Sequence, residues 1–418
     1  MPRMQPEHLS AGGRSRRWFL GLGAAWSAAL AACRSKPATD SASFPDARVP
    51  GAAIRAYGER STFEHAHRLI RSDTRVPLEE ASSQTPLHDT YGIITPSSLH
   101  FERHHSGVPQ IDPAAHTLTI HGLVERPLVL TVDEIRRLPS VSRIHFVECS
   151  GNSSSEWRSS GATDLQRAHG LTSCSEWTGV SLALLLKECG VKPEGTWILA
   201  EGADSGRHDR SIPMHKAMDD VLVAYGQNGE PIRPEQGYPF RLLVPGWEGN
   251  VNVKWLRRIK VLDQPAMTRE ETSKYTDLMP DGTARQFTFD MEAKSVITRP
   301  SAGDTLPGRG FYEVTGLAWS GRGAIARVEV TADGGQTWTE AQLQTPILPK
   351  AHTRFRWAWR WDGGDAVLAS RATDDTGYTQ PMVAELVAVR GLNSNYHNNG
   401  VQKWRVSADG TVTNGNRA

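Results

Sequence analysis

The chain has 418 residues, 38% of them apolar, and a mean hydropathy of −0.44. Its net charge of +1 excludes a function built on bulk attraction to nucleic acid or to an acidic membrane surface. The length gives room for two or three domains, and thirteen tryptophans point to β-rich cores with one or two indoles left to line a pocket.

The N-terminus reads as an address. Ser15-Arg16-Arg17-Trp18-Phe19-Leu20 sets paired arginines before a short apolar stretch of small residues over 21–32. That stretch is too short to span a bilayer and has the shape of a signal peptide. A twin-arginine signal over 1–33 is therefore expected, with export of the folded protein to the periplasm. Leu30-Ala31-Ala32-Cys33 also fits a lipoprotein processing site, so a lipid anchor on Cys33 and ordinary cleavage nearby both stay open. Residues 34–85, with Pro37, Pro45 and Pro50 among Ala, Ser and Asp, read as a linker and N-terminal extension. A short helix is predicted over 62–70.

Residues 86–265 read as a mixed α/β domain. His116-Thr117-Leu118-Thr119-Ile120-His121-Gly122 alternates as a strand does. Thr131-Val132-Asp133-Glu134-Ile135-Arg136-Arg137-Leu138 predicts a capped helix closed by Pro139. A second helix is predicted over 181–188, stopped by Gly190. Cys189 shares its face with Leu182, Leu185 and Leu186, which makes it a core thiol. From 290 to 392 the pattern is all-β. Arg327-Val328-Glu329-Val330-Thr331, Asp333-Gly334-Gly335 and Thr337-Trp338-Thr339 predict a hairpin. Phe355, Trp357, Trp359 and Trp361 alternate with Arg354, Arg356, Ala358 and Arg360, as in a half-buried strand. The rhythm is that of a β-sandwich. Residues 393–418 read as a C-terminal tail in which Tyr396, His397 and Trp404 have no assigned role.

Chemistry concentrates in the mixed domain. Cys149 ends the apolar run Arg143-Ile144-His145-Phe146-Val147-Glu148, and Ser150-Gly151-Asn152 turns the chain directly after it. A thiolate at a strand end beside a glycine turn is open to a soft or high-valent metal; an inert buried thiol is the plainer alternative. Arg241 and Lys254 each sit inside apolar strands. Such charges need a counter-ion, either a bound phosphate or a structural partner such as Glu248 or Glu235. Four cysteines occur, Cys33, Cys149, Cys174 and Cys189; no spacing requires a Cys174–Cys189 disulfide, and no Cys-x-x-Cys-His haem motif is present.

Phe101-Glu102-Arg103-His104-His105, Cys149-Ser150-Gly151-Asn152, Ser173-Cys174-Ser175-Glu176-Trp177-Thr178-Gly179-Val180, Ser211-Ile212-Pro213 and Val253-Lys254-Trp255-Leu256 together resemble the sulfite oxidase family of molybdenum enzymes. The segments Glu271-Thr272-Ser273-Lys274-Tyr275-Thr276-Asp277-Leu278 and Arg285-Gln286-Phe287-Thr288-Phe289 are similar to that family's sulfane dehydrogenase branch, the molybdenum subunits of Sox thiosulfate-oxidising systems. The resemblance spans about 90–392 and implies an α+β protein. A mixed α/β molybdopterin domain would be followed by an immunoglobulin-like β-sandwich dimerisation domain over 290–392.

It also implies the cofactor, molybdenum bound to molybdopterin, and residue roles. Cys149 would supply the thiolate to the metal. Phe101, Arg103 and His105 would line the pterin, with Arg103 also beside the anionic substrate. Asp204, Arg241, Asn252 and Lys254 would hold the pterin and its phosphate, and Tyr275 would be the active-site tyrosine. The implied reaction is oxidation of sulfane sulfur, carried as a cysteine persulfide on a sulfur-carrier protein, with electrons leaving to a separate c-type cytochrome subunit, dihaem in that branch. Homodimerisation would then give a heterotetramer. Two positions depart from many family members. Ser153, Ser154 and Ser155 stand where arginines follow the cysteine turn, and Gln236 replaces a histidine. Fewer positive charges beside the cysteine fit a carrier-bound substrate better than free sulfite. A sulfite dehydrogenase using cytochrome c, a methionine sulfoxide reductase on the same fold, and a non-catalytic scaffold are the competing readings.

Overall fold

The computed structural model describes residues 51–71, 77–158 and 164–416. The twin-arginine segment, Cys33 and the proline-bearing stretch up to residue 50 lie outside the described residues. The chain divides into a first unit ending at Glu64 and a second over His65–Ala418. The described part of the first unit holds turns and bends but no helix or strand. No helix among the described residues is long and apolar enough to cross a membrane.

The helix predicted over 62–70 does not form. Leu69–Arg71 is a strand, antiparallel to Ser82–Gln84, which pairs in turn with Glu102–Arg103. Gln166 donates to the His67 carbonyl at 2.9 Å, and Arg68 is ion-paired with Glu102. These distant partners satisfy the backbone and the charge, so tertiary pairing overrides a weak local preference. From His65 onward the extension is therefore no linker, because its strand Ser82–Gln84 pairs directly with the strand that carries Arg103.

Two five-stranded sheets form the mixed domain. The first is antiparallel and runs Glu230–Pro231, Leu222–Gln227, Thr172–Ser181, Ser140–Glu148, with Arg241–Leu243 also paired to Leu222–Gln227. The second runs Leu128–Thr131, Thr117–Gly122, Leu256–Leu262, Trp197–Gly202, Asp209–Pro213, with Thr117–Gly122 and Leu256–Leu262 parallel. Alternation along Thr117–Gly122 turns Leu118 and Ile120 inward, into one core with Val180, Leu186, Val223 and Ile259. Both predicted helices form beside this core. Thr131 and Glu134 make the capping box that starts Val132–Arg136. Gly190, at φ +66°, ends Leu182–Cys189, whose Leu182, Leu185, Leu186 and Cys189 are buried.

The second domain is a sandwich of two sheets. One contains Lys294–Arg299, Gly310–Trp319, Thr353–Trp361 and Gln342–Gln344. The other contains Thr339–Glu340, Ile325–Thr331, Ala366–Asp374, Lys403–Val406 and Val412–Asn414. The alternating strand behaves as expected: Phe355, Trp359 and Trp361 are buried, while Arg356 and Arg360 are exposed. The segment read as a tail is a correction. Lys403–Val406 and Val412–Asn414 extend the second sheet, with Leu368 opposite Trp404. Trp404 is fully buried and its Nε1 donates to the Ile297 carbonyl at 3.0 Å. A ladder partner and a large apolar side chain decide the matter, because an unpaired strand and an exposed indole would lose both contributions. Trp404→Ala is expected to destabilise the protein by about 3–5 kcal/mol, read from the urea midpoint; a shift under about 1 kcal/mol would show that the chain end adds little to the sandwich.

Candidate active site

The strand Ser140–Glu148 delivers Cys149 to the floor of a cleft. The Cys149 amide donates to the Leu171 carbonyl at 2.9 Å, and the Asn152 amide donates back to the Cys149 carbonyl at 2.8 Å, which closes the turn. Gly249 crosses this strand end so closely that an added Cβ would lie 2.8 Å from the Glu148 carbonyl oxygen; only glycine fits there. Behind the cysteine, Glu148 accepts from Lys294 Nζ at 3.0 Å, Trp319 Nε1 at 2.7 Å and Asn152 Nδ2 at 2.8 Å. Cys149 itself is partly exposed. Burial pushes its thiol upward, while the Gly151 amide and Arg103 pull it down.

All nine residues singled out in the sequence line this cleft: Phe101, Arg103, His105, Cys149, Asp204, Arg241, Asn252, Lys254 and Tyr275. Phe101 is anchored by its amide, which donates to Ser173 Oγ at 3.0 Å. Arg103 donates Nη1 to the carbonyls of Glu80, at 2.8 Å, and His104. A relay of charges runs behind it: Arg68 to Glu102, Glu102 to His104 Nε2 at 2.7 Å, and Lys254 Nζ to His104 Nδ1 at 2.7 Å.

Among the described residues, no carboxylate lies within ion-pair distance of Arg241 or Lys254. The sequence alternatives are excluded individually. Glu248 pairs with Arg210 at 3.3 Å and His397 at 3.1 Å, and Glu235 meets Lys254 only through its carbonyl, at 3.2 Å. Arg241 donates to Gln236 Oε1 at 3.1 Å and lies over the Trp177 ring at 5.2 Å, and its Nε is buried without a partner. Burial lowers the Arg241 guanidinium to about 9. Burial, and next the Arg241 charge, hold Lys254 well below the usual lysine range. A buried guanidinium with an orphaned donor beside a half-buried ammonium is the arrangement expected of a phosphate seat. No cluster of three or more His, Cys, Asp or Glu side chains among the described residues could hold a metal by itself. A metal at Cys149 would take its other ligands from an organic cofactor, and a pterin with a phosphate fits this cleft.

Another part of the wall is aromatic. Tyr275 Oη lies 2.8 Å from His105 Nε2, and Arg210 stacks under the tyrosine ring at 5.2 Å. Burial raises the Tyr275 phenol, and burial with Arg103 lowers His105 to about 3, so both are neutral near pH 7. Asp204 follows the strand Trp197–Gly202 and accepts from the His208 amide at 3.0 Å. Asn252 lines the cleft, but its side chain is committed to backbone: Oδ1 accepts from Val244 and Nδ2 donates to Glu248. It shapes the wall rather than offering a free amide.

Two family profiles match the chain. "Oxidoreductase molybdopterin binding domain" covers residues 105–270, and "Mo-co oxidoreductase dimerisation domain" covers 285–404. The crystal structure of the sulfane dehydrogenase SoxCD from Paracoccus pantotrophus is 47% identical, with a TM-score of 0.85 over 89% of this chain and 96% of that one. The chain belongs to the sulfite oxidase family of molybdenum oxidoreductases. Mitochondrial sulfite oxidase of Rattus norvegicus is 31% identical over 79% of this chain. The NADH nitrate reductase of Solanum lycopersicum is 33% identical over 75%. This chain spans 64% and 39% of their lengths.

Sequence reasoning passed over several wall residues of this family site. His104 and Trp255 lay within quoted motifs. Gln236, noted in the sequence as a departure from the family's histidine, donates to the Phe101 carbonyl at 2.9 Å and accepts from Arg241 at 3.1 Å. His208, Gly249 and Asn250 gave no local signal. Tyr396, from the supposed tail, packs 5.4 Å from the Tyr275 ring and lines the outer mouth with Arg71, Arg167 and Lys274.

Two predictions follow from these charges. Arg241→Met or Lys254→Met should lower molybdenum retention about tenfold or more, since each removes charged hydrogen bonds to an anion, yet leave the cofactor-free protein at least as stable; a matched loss of apo stability would mark them as structural. For Glu248, burial would raise the carboxyl, but Arg210, His397 and Asn250 outweigh it and hold it at about 2. Its folded value lies below the ordinary one, so its contribution, roughly 3 kcal/mol, is present above about pH 4.5 and is lost as pH falls toward 2. Glu248→Gln should flatten that acid limb in urea unfolding measured against pH; an unchanged limb would assign acid sensitivity elsewhere.

Proposed function

We propose that this chain is the molybdenum subunit of an exported sulfane dehydrogenase. The observation that carries the reading is the sparsely charged wall beside Cys149, where Arg103 is the cation that acts on the thiol. Ser153, which stands where many relatives have an arginine, is buried and accepts from Lys294 Nζ at 2.9 Å. Ser154, Tyr275 and Tyr396 line the mouth, and the outer cations are Arg71, Arg167 and Lys274. A wall with one arginine close in and others at the rim suits a singly charged sulfur group presented on a carrier better than a small free dianion. The likeness to the SoxCD sulfane dehydrogenase supports the same reading.

When bound, the molybdenum cofactor supplies oxygen-atom transfer from water coupled to two-electron redox change. The chain's residues hold and orient. Arg241 and Lys254 would seat the phosphate, Phe101, Asp204 and the wall around Asn252 would bound the pterin, and Cys149 would hold the metal as its thiolate. Arg103 faces the anion, and the Tyr275–His105 pair offers a neutral hydrogen bond beside it. For a cysteine persulfide the balance is R–S–S⁻ plus three waters giving R–S–SO₃⁻, six protons and six electrons. The electrons pass to a c-type cytochrome subunit, dihaem by analogy with the branch, and the region over 285–404 joins two chains, giving a heterotetramer. Localisation in the periplasm follows from the twin-arginine segment, with Cys33 as a lipid anchor or a residue removed with the signal.

Arg103 in the cleft and the likeness to sulfite oxidase favour one rival, free sulfite as substrate. Steady-state kinetics on the molybdenum-loaded protein separate the two. The proposal expects a persulfide on the carrier to give kcat/KM at least about a hundredfold above free sulfite, and Cys149→Ala to remove turnover while leaving a folded protein. Efficient sulfite turnover with no response to the persulfide would overturn it.

A further inference from the structure

The segment between the helix Val383–Arg390 and the strand Lys403–Val406 leaves the sandwich and lies along the cysteine loop. It is held there by hydrogen bonds of buried groups. Asp277, 4% exposed, accepts from the amides of Asn395 and Tyr396 at 2.9 and 3.3 Å. The His397 amide donates to the Ser150 carbonyl at 2.8 Å, one residue beyond Cys149. The His397 carbonyl accepts from Arg390 at 2.6 Å, its ring pairs with buried Glu248, and Asn398 donates to the Ser153 carbonyl at 2.9 Å. His397 has φ +58° and Tyr275, facing the strap, φ +50°. Non-glycine residues stay in that region only where their surroundings over-determine them.

What this clamp presents to the cleft is one side chain. Tyr396 is half-buried, lies 5.4 Å from the Tyr275 ring at an interplanar angle of 44°, and lines the mouth with Cys149, Arg103 and Tyr275. The strap's buried hydrogen bonds and the His397–Glu248 contact leave the Tyr396 phenol half-open at the mouth, so its placement points to what enters. We propose that Tyr396 is a substrate-contacting, specificity-determining residue, forming with Tyr275 an aromatic gate over Cys149. The proposal rests on the sulfane-sulfur reading above and names the residue that recognises the sulfur chain. An aromatic ring makes favourable contact with divalent sulfur, adds no charge, and narrows the approach to a slender, extended group.

The test uses the molybdenum-loaded protein, its Tyr396→Ala and Tyr396→Phe variants, and a short peptide carrying one cysteine persulfide, with cytochrome c as acceptor. Tyr396→Ala is expected to raise KM for the persulfide peptide about fivefold or more with kcat and molybdenum content near the parent values. Tyr396→Phe, which keeps the ring, should stay close to the parent. Calorimetric binding of the same peptide as its S-sulfocysteine product gives a readout without turnover, and should weaken about fivefold in Tyr396→Ala. Equal product affinity and equal KM in parent and Tyr396→Ala, or no product binding by the parent, would overturn the gate. A parent that binds the product peptide through Tyr396 but oxidises only free sulfite would instead sink the sulfane reading and leave the gate standing.

Discussion

One buried ion pair holds the two domains and the site in register. Glu148 and Lys294 are 0% and 1% exposed and 3.0 Å apart. Taking both charges out of water costs several kcal/mol each, and their attraction offsets that only if the remaining hydrogen-bonding capacity is filled. It is filled from both domains. Asn152 of the cysteine turn and Trp319 of the sandwich donate to the carboxylate, and Lys294 also reaches Ser153 Oγ. The turn that presents Cys149 is therefore braced by side chains of the sandwich, and an undocked sandwich would leave a bare carboxylate beneath it. Aromatic packing of Phe146 against Trp319 and His352 continues the same junction.

The cleft reverses this arrangement. Behind Cys149 every charge has its partner; in front of it Arg241 and Lys254 do not. The low dielectric that makes the Glu148 network rigid makes these unpaired cations strong anion hosts. The carboxylates that sequence proximity offered them are drawn elsewhere, Glu248 to Arg210 and His397, and Glu235 toward Arg68 at 3.7 Å. The seat is thus kept open by giving Glu248 and Glu235 other partners. Gln236 serves the same end, since a neutral amide can orient Arg241 without neutralising it.

Much of the architecture was legible in the sequence because it is local. Alternation marked the strand Thr117–Gly122 and the aromatic strand Thr353–Trp361; Thr131 with Glu134, and Gly190, marked the ends of two helices. The site residues were legible by resemblance to a family, and the structure gathers all nine around one cleft. Where the reading failed, the deciding contact was distant. The stretch near His67 is drawn into a sheet by Ser82–Gln84 and Gln166, and the chain end is drawn into the sandwich by Ala366–Asp374. Asn252 looked like a cofactor ligand until the backbone around it claimed its amide.

The sequence by itself determined which chemistry was present: a thiol at a strand end, two cations in apolar strands, a tyrosine in a family-like segment, and the periodicities of strand and helix. Those depend on residue type and on spacings of two to four positions. Only the tertiary structure decided which charges are paired, which amide is free, and that Tyr396 faces Tyr275. Glu148 meets Lys294 across 146 positions of chain and His105 meets Tyr275 across 170. No local pattern encodes such pairs, because they are set by how sheets and domains pack once their apolar faces are buried.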